Sequence, residues 1–148
     1  MEISFYHLTL QPLNTALPKL LGKVIDAEMK AVIKVSTKEQ MEEIDLALWE
    51  YDKESFLPHD TMHGKYKVHQ PIFITMNDEN PSGAEVLILT DNAEVKSIEG
   101  YSRVIEMFDG KNPTIVEQAR TKWTHYKAAD HELTYWQQTE TGGWSKRG

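Results

Sequence analysis

The sequence contains no cysteine. That excludes a disulfide framework, a thiolate zinc site and a catalytic thiol, and it suits a reducing cytoplasm. Long hydrophobic runs are missing too: no window approaches about eighteen consecutive apolar residues, so no membrane-spanning helix is expected. The start, MEISFYHLTL, has neither a basic n-region nor a small-residue cleavage site. A soluble, unprocessed, cytoplasmic protein is expected. Positive charge is in short supply, with 16 lysines and arginines against 23 acids and a net charge of -7, which argues against general nucleic-acid binding at physiological salt. The glycine-rich signatures GxxxxGK[ST] and GxGxxG do not occur, and the turn TLQPLN after the first expected strand has no glycine to admit a phosphate. Nucleotide binding is therefore not expected. The nucleophile elbow GxSxG is absent as well.

What is present reads as one domain, since 148 residues suffice to bury roughly two thirds of the surface the unfolded chain exposes. A β-branched and aromatic run predicts a strand over 2–8. Leu17, Leu20, Leu21 and Val24 recur at helical spacing behind an Asn14 or Thr15 cap, with Pro18 expected in the first turn. AVIKV at 31–35 fits a buried strand. Thr37 stands three residues before Gln40, a capping-box spacing, and Met41, Ile44, Ala47 and Leu48 mark one face of a second helix. Residues 50–70 show no period and are assigned to loop. PIFITM (71–76), AEVLILT (84–90) and SRVIEMF (102–108) read as further strands, 114–129 as the last helix, and ELTYWQQ (132–138) as a strand suited to a sheet edge. The expectation is an α/β sandwich with a mostly parallel sheet over residues 1–138, followed by a polar tail, 139–148, that is mobile or only partly docked.

Several constellations invite chemistry. His59, His63 and His69 cluster in the irregular segment, and a small α/β enzyme using them as an acid/base or metal site is the alternative reading; solvated loop imidazoles are the simpler one. Acidic pairs such as Glu42 with Glu43 look like solvated faces, so no catalytic residue, metal or cofactor is expected. The last helix is more informative. At about 100° per residue, Arg120, Trp123, Thr124 and Lys127 share an arc beside the core stripe of Ile115, Ala119 and Tyr126. An indole flanked by cations can seat an acidic peptide that carries its own hydrophobic side chain.

Taken in order, FYHL, LALWEYDKESFLPH and QARTKWTHYKAADHELTYW resemble the chi subunit of bacterial DNA polymerase III holoenzyme, an accessory protein of the clamp loader, over roughly residues 3 to 136. The resemblance implies a three-layer, Rossmann-like α/β fold without a nucleotide-binding loop, and a non-enzymatic role in DNA replication. It also implies two partner surfaces. One receives the acidic C-terminal peptide of the single-stranded DNA-binding protein, which puts Arg120 and Trp123 in a basic and aromatic pocket. The family pattern has a lysine where this sequence has Thr124, and Lys122 or Lys127 is expected to compensate. The other surface is formed by Trp49 and Phe56 with Pro58 nearby, and it binds the psi subunit, the link to the clamp loader, or in some bacteria a helicase.

Overall fold

In the computed structural model, residues 1–50, 58–64 and 70–147 are described. Phe56 and His69 fall outside the described residues. The elements run β1 (Glu2–Leu8), α1 (Leu13–Asp26), β2 (Ala31–Lys34), α2 (Lys38–Glu50), β3 (His59–Thr61), β4 (Ile72–Thr75), β5 (Val86–Thr90), β6 (Arg103–Asp109), α3 (Pro113–Ala128), β7 (Glu132–Gln138) and β8 (Trp144–Lys146). The strands form one sheet in the order β3-β4-β2-β5-β6-β1-β7-β8. Every neighbouring pair is parallel except β7 with β8. This is the expected three-layer α/β sandwich.

The central strands are apolar throughout because helices cover both faces of the sheet. AVIK, IFIT and VLILT are buried at every position. Strand pleating then sorts the side chains into two cores. Leu8, Ile33, Ile74, Ile88 and Met107 meet Leu17 and Leu21 of α1 and Ile44 and Leu48 of α2. On the opposite face Phe5, Val32, Phe73, Leu87 and Phe108 meet Ala119 of α3. Two helices therefore lie on one side of the sheet and one on the other.

Local signals explain most boundaries. The Thr37 hydroxyl accepts from Gln40 N at 3.1 Å, while the Gln40 side chain reaches back to Ser36 N at 3.4 Å, one residue before the expected partner of a capping box. α1 departs from expectation at its start. Its cap is Pro12, which offers no side-chain acceptor, and Pro18 lies inside the helix rather than in the first turn. The turn entering α1 is held by a distant residue instead: Gln138 Oε1 accepts from both Leu10 N and Gln11 N at 2.9 Å, and Thr9 Oγ1 donates to the Gln138 carbonyl at 2.7 Å. A glutamine thus occupies those amides at the turn where a nucleotide-binding fold would present backbone N–H groups to phosphate.

Two further differences concern sheet edges. The segment assigned to loop holds β3, whose three residues are too few for any period to show. At the other end, β7 is not an edge. The segment expected to be mobile or only partly docked adds β8 beside it, with Trp144 opposite Gln138 and Lys146 opposite Trp136. Trp144 fixes this strand by standing edge-on to Tyr6 at a ring separation of 5.0 Å.

Candidate functional site

The α3 surface is built from a well-capped helix. Asn112 accepts from Thr114 N at 3.1 Å and Ile115 N at 3.4 Å, and Pro113 follows at the first helical position. The inner face lands on an aromatic cluster centred on Phe5. Around that ring lie Trp123 at 5.3 Å, Tyr126 at 6.0 Å, Tyr135 at 6.3 Å and Phe108 at 6.4 Å. Trp123 is half-buried and also edge-on to Tyr135 at 5.7 Å, so it serves the fringe of the core while leaving part of its ring at the surface.

Beneath α3 the carboxylate of Glu106 is buried on β6. Lys122 Nζ donates to its two oxygens at 3.0 and 3.1 Å, and the Tyr126 hydroxyl donates at 2.7 Å. Burial pushes the Glu106 carboxyl above its ordinary range, partly offset by the Lys122 charge and by the two hydrogen bonds. The same burial, with the neighbouring carboxylate, raises the Tyr126 hydroxyl far above a free phenol. Lys122 also donates to the Ala93 carbonyl at 2.9 Å. Its ammonium thereby anchors the helix to the sheet, about 200° around α3 from Arg120.

Arg120 and Thr124 lie on one exposed stripe of α3, and Lys127 continues it. Among the described residues Arg120 has no carboxylate partner. Its neighbours are His7 and Tyr135, joined at 2.6 Å between Nδ1 and the phenol oxygen. His7 titrates below an ordinary imidazole, chiefly through burial; a hydrogen bond to the Gly110 backbone opposes this, and the Arg120 charge adds to it. Burial raises the Tyr135 phenol, and Arg120 offsets part of that. Beside the guanidinium runs an open groove of 680 Å³ lined by Gly110, Pro113, Val116, Glu117, Arg120, Thr121 and Thr124. Thr124 Oγ1 donates to the Arg120 carbonyl at 3.1 Å, so its hydroxyl is turned onto its own helix.

The structure thus brings Arg120, Trp123, Thr124 and Lys127 to one side of α3 and sends Lys122 to the other. His7, Tyr135 and Gly110 join the site without having been singled out from sequence. A Cβ at Gly110 would collide with the His7 ring and the Leu8 carbonyl oxygen, so only glycine lets the end of β6 close on β1. Gly110 N donates to that carbonyl at 2.7 Å.

The second surface lies on α2. Trp49 is 55% exposed, yet its ring leans on the His59 imidazole at 4.8 Å. His59 is buried in β3, with Nε2 2.9 Å from Asp45 Oδ1. Leu46, one turn before Trp49, is 56% exposed and widens the apolar patch. Pro58 is half-buried immediately before β3. Of the three clustered histidines, His59 is thus held inside by Asp45 and Trp49 while His63 is exposed. Among the described residues no group of three histidine or acidic side chains could hold a metal ion. No helix among them is long and apolar enough to cross a membrane.

The profile of the family "DNA polymerase III chi subunit, HolC" matches residues 1–134. A curated relative from Rickettsia prowazekii (strain Madrid E), "Probable DNA polymerase III subunit chi", is 25% identical over 150 aligned positions, covering 98% of this chain and 91% of the relative. The match runs from β1 into β7, and the chain belongs to the DNA polymerase III chi subunit family.

Proposed function

We propose that this chi-family protein is a non-enzymatic, cytoplasmic adaptor that ties the clamp loader, and with it the replicative polymerase, to single-stranded DNA-binding protein. The observation that carries the reading is the guanidinium of Arg120. It is exposed, without a carboxylate partner among the described residues, and set beside the half-buried Trp123 and an open groove. A peptide with several carboxylates and a terminal aromatic would pair with Arg120 and bury its ring against Trp123. The reading gives the cationic role of the missing lysine at Thr124 to Lys127, because Lys122 is occupied by Glu106. Glu117, on the groove wall, would limit how closely a second carboxylate approaches.

The α2 patch is assigned to a different partner, a psi subunit or helicase, through Trp49 and Pro58; Phe56, outside the described residues, is assigned to the same partner by the family resemblance alone. Its surroundings are acidic, with Glu42, Glu43, Asp45 and Glu50 on α2. Such a patch repels the acidic tail that α3 attracts. The adaptor needs no cofactor and no direct contact with nucleic acid.

Calorimetric titration with a peptide ending in acidic residues and phenylalanine tests the first assignment. Binding should weaken as salt rises and disappear in Arg120→Ala. No heat of binding in low-salt buffer refutes it. For the second surface, recovery of partner from cell extract should fall in Trp49→Ala and Phe56→Ala; unchanged recovery would show the assignment to be mistaken.

A further inference from the structure

On the α1 side of the sheet, where β7 and β8 pass the helix, lies a cavity of 430 Å³ that the α3 reading does not use. Tyr6, Ala16, Leu20, Met107, Trp136 and Trp144 supply its apolar and aromatic walls. Lys19 and Lys23 stand on its rim, one turn apart on α1 and exposed, and among the described residues neither ammonium has an ion pair or hydrogen bond. Lys146 lies directly across the sheet from Trp136, so the pleat places it on the same face. No carboxylate lines the cavity. In a chain of net charge -7, three cations around an aromatic hollow with no acid in its lining mark a local reversal of sign.

We propose that this cavity is a second docking seat, for an acidic protein segment that binds in extended conformation and inserts one large apolar side chain. The seat is separate from α3 and stands without it. Lys19 and Lys23 are about 6 Å apart at Cβ, close to the roughly 7 Å between side chains of alternate residues in an extended chain. Carboxylates on alternate residues therefore match the two ammoniums. The side chains on the other face of such a segment alternate with the carboxylates, and one of them enters the hollow between Tyr6, Trp136 and Trp144.

The test follows the indole N–H resonances of the isotope-labelled full chain, which has four tryptophans. The probe is a synthetic peptide, capped at both ends, with aspartates alternating around a single phenylalanine. The Trp136 and Trp144 resonances should shift saturably, less so as salt rises, and not at all when the peptide phenylalanine is replaced by alanine. Lys19→Ala with Lys23→Ala, both exposed positions, should weaken binding roughly tenfold, as expected for the loss of two surface ion pairs. Arg120→Ala should leave these shifts unchanged. Shifts confined to Trp123 would overturn this proposal and leave the α3 reading standing; shifts at Trp136 and Trp144 with Trp123 silent support it and leave the α3 reading to the titration with a peptide ending in phenylalanine. An affinity left unchanged by the double lysine substitution, or shifts that appear with protein concentration alone as a second copy fills the cavity, would also overturn it.

Discussion

Replacing Lys122 by methionine keeps most of the side-chain volume and removes one charge from the Glu106 cluster. Glu106 is 1% exposed, so its carboxylate would be left with the Tyr126 hydroxyl alone. Stripping one member from a buried ion pair costs about 3–5 kcal/mol. The Lys122 side chain is 18% exposed, which puts the expected loss at the lower end, about 3 kcal/mol. The effect must depend on pH. The folded pKa of Glu106 already lies above its unfolded value, so the folded state binds the proton more readily. Without Lys122 that folded pKa climbs further. The penalty is then full above the raised folded pKa and shrinks as pH falls through it. Urea denaturation followed by circular dichroism, at neutral and mildly acidic pH, measures both quantities. Adding Glu106→Gln should restore much of the stability, because a neutral amide still accepts from Tyr126; the Ala93 carbonyl stays without its lysine donor in both variants. The acidic-peptide affinity of this double variant should stay within about twofold of the parent, well under the tenfold that 1.4 kcal/mol would bring. A loss below about 1 kcal/mol, the range of an exposed pair, or one equal at both pH values, would refute the account of Glu106 as a buried, cation-dependent carboxylate.

Gly110→Ala should destabilise the fold by about 1–3 kcal/mol, the range for overpacking, and displace the His7 ring, which thermal denaturation and the His7 side-chain resonances would report. Gln138→Ala removes the acceptor for Leu10 N and Gln11 N and should cost about 0.5–1.5 kcal/mol, the net worth of a hydrogen bond, because both donors are only partly buried; a loss of a few tenths, read by chemical denaturation, would mean that water replaces it. Burial lowers the folded pKa of His7, so its contribution to stability is present above the unfolded pKa and is lost as pH falls through that value toward the folded one. An acidic peptide paired with Arg120 should raise the His7 pKa, since it adds negative charge beside the ring. Binding should therefore tighten as pH falls, and an imidazole titration indifferent to the peptide would place the peptide elsewhere.

The layered fold was legible because buried parallel strands announce themselves as apolar runs. AVIK, IFIT and VLILT could hardly be anything else, and Thr37 with Gln40 marked the start of α2. The helix ends were less legible. α1 and α3 both close in a reversed-turn arrangement of hydrogen bonds, Glu28 N to Ile25 O with Met29 N to Val24 O, and Asp130 N to Lys127 O with His131 N to Tyr126 O. The left-handed positions are filled by Glu28 and Asp130, where a glycine would have signalled the stop. Long-range partners were beyond periodicity altogether. Nothing local in ELTYWQQ says that Gln138 will cap a turn far away in sequence, or that the polar tail will supply a strand. In the site, helical spacing grouped Arg120, Thr124 and Lys127 correctly, but spacing alone could not show that Glu106 captures Lys122. That required knowing that β6 lies beneath α3, and an acid inside an apolar strand was the one available hint.

In the proposed assignment, charge keeps the occupants of the docking surfaces apart. The exposed hydrophobics of α2, Leu46 and Trp49, stand among Glu42, Glu43, Asp45 and Glu50, whereas the aromatic edge at Trp123 stands beside Arg120 and that at Trp144 near Lys19 and Lys23. Apolar area alone would hold any large side chain, since burial is indifferent to sequence. The surrounding charges decide which chains approach closely enough to use it. It follows that salt should act oppositely on the two kinds of surface. Screening weakens an acidic segment at α3 or at the α1 cavity, but it relieves repulsion for a mildly acidic partner at α2. An α2 partner whose affinity also fell steeply with salt would have to bring its own basic residues to the acidic rim.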